Sequence, residues 1–161
     1  MSLFRLSLLM AALWLLAGGP ASAQDKDDHA GYYYPQLSSR EVYVSRATTL
    51  EKASRDMRLG FITGMTAQQL SRPYPPPYAV FAKGDDAEKM IIVALGDHGF
   101  RGLFQARAVL AQLTAVARGT ELFREFQVED LFTYFDLARL LGFRQITISD
   151  GATFAHQIEL R

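Results

Sequence analysis

The imidazole chemistry open to this chain rests on three residues, His29, His98 and His156. None stands at a metal-ligand spacing from another, no HExxH pattern occurs, and cysteine is absent, so neither a metal centre nor a thiolate nucleophile is expected. His98 falls in the stretch Gly96-Asp97-His98-Gly99-Phe100-Arg101-Gly102. Glycines let the backbone approach a ligand closely, the first amides of a following helix lack intrahelical acceptors, and Arg101 adds positive charge, which together could hold an anion. The spacing matches neither a Walker loop nor a dinucleotide fingerprint, Asp97 would oppose a phosphate, and a strand-to-helix turn alone also accounts for the glycines. Asp150, in Ser149-Asp150-Gly151, comes near this loop if the hairpin it closes pairs beside the strand that carries the loop. His156 lies in an apolar strand, where a hydrogen-bonded sheet histidine is the alternative to a ligand. Asp97, His98, Arg101, Asp150 and His156 are therefore the candidates for a small-molecule site.

Other chemical patterns are absent or have simpler explanations. There is no GxSxG. The pairs Asp85-Asp86 and Glu129-Asp130 need only solvent and the first turn of a helix. Tyr74 and Tyr78 bracket Pro75-Pro76-Pro77, and such a segment either guards a sheet edge or packs on a partner's aromatic groove.

These residues need elements to position them. Arg40–Arg46 alternates Glu41, Tyr43 and Ser45 against Val42, Val44 and Arg46, as a strand with one polar face does. Thr48 or Thr49 can cap a short polar helix that starts at Glu51 and ends by Gly60, and Phe61–Leu70 begins with strand composition. Prolines force 72–78 to be extended. Tyr78–Lys83 and Lys89–Leu95 read as strands, the second apolar enough to be central and covered on both faces. Arg101–Ala117 places Leu103, Ala106, Leu110, Leu113 and Ala117 on one helical stripe, which makes Leu110, like Ile92 in the preceding strand, a core residue. Thr120 can cap a short turn through Phe126, Glu129–Leu141 is a second buried helix ended by Gly142, and 145–149 with 153–160 forms a closing hairpin. The fold class that results is α+β, a mostly antiparallel β-sheet with two principal α-helices inserted between the third and fourth core strands.

The chain has 161 residues, and its first 23 carry the parts of a secretory signal: Arg5, the apolar run Leu6–Ala17 and Ala21-Ser22-Ala23 ahead of Gln24. That run is shorter than the roughly twenty residues a bilayer requires, and charges follow it closely, so cleavage rather than anchoring is expected. The organisation is then a signal peptide at 1–23, a flexible polar tail at 24–36 and a single domain at 37–161, periplasmic or secreted from a bacterium. Composition is that of a globular protein, 49% hydrophobic and 21% charged. Of the 17 basic residues Arg5 alone lies in the leader and none of the 17 acidic ones does, so the remainder is nearly neutral. Its charge supports no nucleic-acid partner, and no further segment is apolar enough to span a membrane.

The stretches SRPYPPPYAVFAKG, EKMIIVAL, LFTYFDLARLLGF, ITISDG and FAHQIEL together resemble a family of small exported proteobacterial proteins, some members of which are named for molybdopterin-guanine dinucleotide biosynthesis. The nucleotidyltransferases of that name open their nucleotide site with Leu-Ala-Gly-Gly followed by an R-x-G-x-x-K stretch. Here Leu16-Ala17-Gly18-Gly19 falls in the leader and continues as Pro20-Ala21-Ser22-Ala23, so the resemblance transfers no site residues. The reading at this level is an exported, non-enzymatic module, without cofactor or metal, that binds an envelope protein or a small ligand. The competing readings are a small hydrolase or transferase at the Asp97–Arg101 loop, and a nucleotidyltransferase-related role as the family name implies.

Overall fold

The computed structural model describes residues 34–96, 102–119, 123–124 and 127–161. Along them run β1 (Ser39–Tyr43), α1 (Arg55–Leu70), β2 (Tyr78–Lys83), β3 (Lys89–Ala94), α2 (Leu103–Arg118), α3 (Tyr134–Leu140), β4 (Gln145–Ser149) and β5 (Ala155–Leu160). The strands join in one sheet in the order β1-β5-β4-β3-β2, which makes the chain α+β. The sheet is mixed, in contrast to the mostly antiparallel one that the hairpin signals imply. β2–β3 and β4–β5 are antiparallel, as short turns require, while β3–β4 and β1–β5 are parallel. A long connection is what permits the parallel β3–β4 pair: α2 and α3 carry the chain back across the sheet before β4 begins. The middle strand is accordingly β4, and β3 lies one place from it.

α1 differs most from the sequence expectation. A helix ending at Gly60 and a strand from Phe61 are replaced by one helix of 16 residues. Met57, Arg58, Phe61, Ile62 and Met65 recur at helical spacing and pack on the core or are buried, while Gly60 and Gly64 face outward with nothing within 4 Å of an added Cβ. Packing of that stripe outweighs the roughly 1 kcal/mol each glycine costs a helix. The cap is Ser54, whose Oγ accepts from Met57 N–H at 3.2 Å, and not Thr48 or Thr49. α3 is also shorter than the apolar pattern implies, because Leu131 and Phe132 N–H both turn back to Val128 O and the helix starts only at the Thr133–Asp136 capping box.

All three helices cover one face of the sheet. Val80, Met90, Ile92, Ile146, Ile148 and Ile158 point into that layer, with Ile92 fully buried and Leu110 4% exposed. On the other face Tyr34, 2% exposed, packs with Ile91 and Ala155, and Leu37 and Val93 adjoin them. Tyr34 is thus part of the packed structure although it precedes the expected domain start at Leu37. β3 is covered on both faces by this arrangement.

Candidate functional site

Asp97, His98 and Arg101 lie outside the described residues. The residues on either side of them are placed, however. β3 pairs in parallel with β4 so that Val93 stands opposite Ser149, and Gly96, at φ +63°, turns the chain away at the same sheet edge where the Asp150 hairpin closes. The Asp150 turn therefore adjoins the exit of β3. Its carboxylate is already occupied: Oδ1 accepts from Ala152, Thr153 and Phe154 N–H, each at 2.8 Å, and Oδ2 accepts from the Thr153 hydroxyl. Partial burial alone would raise its pKa, but these hydrogen bonds outweigh it and lower the value to about 2. Asp150 builds its own turn.

His156 is 2% exposed and faces the helical layer. Its Nδ1 is 2.8 Å from Ser39 Oγ, and its Nε2 is 3.4 Å from Glu41 Oε1, a contact of ion-pair distance whose angle is too poor for a hydrogen bond. Glu41 Oε2 in turn accepts from Arg107 of α2 at 3.0 Å. Ser39, Glu41 and Arg107 were not among the sequence candidates. The signal for the first two is the polar face of β1, which points inward: Ser39 and Glu41 meet His156, and Tyr43 and Ser45 meet Asp136 of α3. Tyr43 and Ser45 hydroxyls donate to the Asp136 carboxylate at 3.1 and 3.0 Å, and Arg46 and Thr133 N–H each donate at 2.8 Å. Asp136 is fully buried, which alone would raise its pKa, yet the donors from Thr133, Arg46 and Ser45 hold it below the ordinary carboxylate value. These two clusters fasten the edge strand β1 to the rest of the molecule. A histidine so enclosed, with Ser39 on one nitrogen and a carboxylate held by Arg107 beside the other, is a strut between elements.

A cavity able to admit a molecule lies beneath the proline segment, in addition to broader polar clefts such as the one lined by Arg58, Glu88, Arg139 and Arg144. Residues 72–77 cross from the end of α1 to the start of β2 and roof a cavity of about 280 Å³ over α1, α2 and α3. Phe61 and Met65 of α1, Leu113 and Ala117 of α2, and Leu137 of α3 supply apolar walls, and Pro75–Pro77 supply the roof. Polar side chains line it as well, Gln68, Gln69, Arg72 and Gln112 among them. Tyr134, buried in the floor, sets its hydroxyl 3.3 Å from Met65 Sδ and 3.2 Å from Met90 Sδ, and burial pushes its phenol far above the ordinary value. Tyr78 is half-buried; burial raises its phenol while the charge of Arg72 works the other way. Gln69 Oε1 is buried and has no hydrogen-bond partner. Tyr74, 78% exposed, and Val116, 46% exposed, stand at the rim.

Tyr74–Tyr78 thus forms a pocket wall, a role beyond the edge guard or partner surface that the sequence offers for it. A mostly apolar concavity with a few convergent polar atoms is the usual form of a small-molecule site. Among the described residues, His, Asp and Glu gather nowhere in a group able to hold a metal ion. The chain matches no protein-family model, no curated protein and no solved structure.

Proposed function

We propose that this chain is an exported binding module, without catalytic chemistry of its own, that takes a small and largely apolar molecule into the cavity under the proline segment. The leader at 1–23 supports export, and the likeness to small exported proteobacterial proteins agrees with it. Among the described residues no helix is long and apolar enough to cross a membrane. The observation that carries the reading is the cavity itself, about 280 Å³ walled by Phe61, Met65, Leu113, Ala117 and Leu137 under the proline roof. The size fits a compact molecule: a cavity of roughly 150 Å³ holds benzene, so about 280 Å³ accommodates something on the order of twice that. A hydrolase or transferase at the Asp97–Arg101 stretch has less support, since Asp150 is consumed by its turn and His156 is enclosed by β1.

The test is a calorimetric titration with 4-ethylphenol, a neutral compact probe that offers one donor. Binding to the wild-type protein is expected. Val116→Trp places an indole at the rim from a half-exposed position and should abolish binding with little change in melting temperature. Absence of binding, or binding that Val116→Trp leaves unchanged, would refute the cavity as the site.

A further inference from the structure

We infer that the ligand of this cavity is a monoanion, an aromatic or branched aliphatic body that carries a carboxylate at the mouth and a hydrogen-bond donor at depth. The inference rests on the cavity being the binding site and adds the chemical class. Three observations point the same way.

Arg72 is the one charged residue among those that line the cavity, and no carboxylate is among them. Among the described residues Arg72 has no ion-pair partner, the ion pairs there being Arg107–Glu41, His156–Glu41 and Arg161–Glu159. A cationic ligand would therefore meet a like charge and no counter-charge, whereas a carboxylate would find a planar guanidinium suited to two parallel hydrogen bonds. Tyr78 lines the same cavity and adds a neutral hydroxyl donor. Away from that charge, Tyr134, whose hydroxyl faces two thioether sulfurs, offers lone pairs that sulfur cannot use. The walls between these two ends are Phe61, Met65, Leu113 and Leu137, so the body joining head and donor has to be apolar. Thioether sulfur at the floor favours an aromatic ring edge there.

Four matched probes separate the terms: 4-hydroxyphenylacetate has ring, donor and carboxylate; phenylacetate lacks the donor; 4-ethylphenol lacks the charge; tyramine reverses it. Calorimetry is carried out on the protein as recovered after export. The expected order of affinity is 4-hydroxyphenylacetate first, phenylacetate and 4-ethylphenol weaker by about tenfold each, and tyramine without measurable binding. Arg72→Gln, at an exposed position, should weaken 4-hydroxyphenylacetate about tenfold and leave 4-ethylphenol unchanged. Tyr134→Phe should erase the advantage of 4-hydroxyphenylacetate over phenylacetate; should that variant fail to fold, the comparison of the two probes on wild type decides the same point. If 4-ethylphenol or tyramine binds as tightly as the anion, or Arg72→Gln has no effect on it, the monoanion class is wrong while the cavity stands as a site. If none of the four binds, the cavity reading fails with it.

Discussion

Asp136 shows how one side chain can fix the position of two elements. A buried carboxylate is unfavourable alone, and here the donors from β1, Arg46 and the start of α3 reverse the balance. Asp136→Ala strands several of those donors and should cost about 3 kcal/mol or more in a urea titration at neutral pH. Because the folded-state pKa lies below the ordinary value of 3.8, the stabilisation is complete above that pH and is lost as pH falls through the folded value. Asp150 behaves alike, its own contribution fading between about pH 4 and pH 2. Stability should thus fall on acidification in this window, and Asp136→Asn should flatten the fall; a variant with the wild-type pH slope would show that Asp136 is not linked to folding. His156 was visible in the sequence as a strand histidine with two possible fates, but its partners Ser39 and Glu41 are 117 and 115 positions away and only the parallel β1–β5 register reveals them.

The elements divide by how local their cause is. β2, β3 and the β4–β5 hairpin were legible because turn residues and apolar runs act within a few positions, and the stripe on α2 because its spacing is regular. α1 was not legible: two glycines broke the propensity, and the packing of Phe61, Ile62 and Met65 on the core restored it. Gly60→Ala and Gly64→Ala, at exposed helical positions with open space for a Cβ, should each raise stability by about 0.5 to 1 kcal/mol in the same titration. A loss in either would contradict the outward placement of these residues. Gly142 is the opposite case, at φ +88° with Arg58 Nη1 2.6 Å from the position of an added Cβ. Arg58 there donates to Asp86 O and Leu141 O, so Gly142→Ala should destabilise by more than about 1 kcal/mol. Leu110→Ala, in the buried stripe of α2, should cost about 2 to 5 kcal/mol.

At the scale of the whole molecule, three helices lie on one face of a five-stranded sheet, and the proline segment roofs a gap lined by all three. Sequence could supply the rigid extended segment but not the gap, since a cavity belongs to the arrangement of elements and to no residue in particular. The stretch 96–102 is legible because its chemistry is local, whereas Arg72 and Tyr134 line one cavity only through the fold. Export predicts that the protein recovered from the medium or periplasm starts at Gln24 by mass spectrometry; recovery of the uncut chain in washed membranes would contradict it. The cavity is tested most directly by methionine-methyl NMR during a titration with 4-hydroxyphenylacetate. Met65 lines the cavity and Met57, on the same helix, does not. The account predicts a saturable shift of the Met65 methyl with the Met57 methyl unmoved, and a saturable titration that leaves Met65 in place would contradict it.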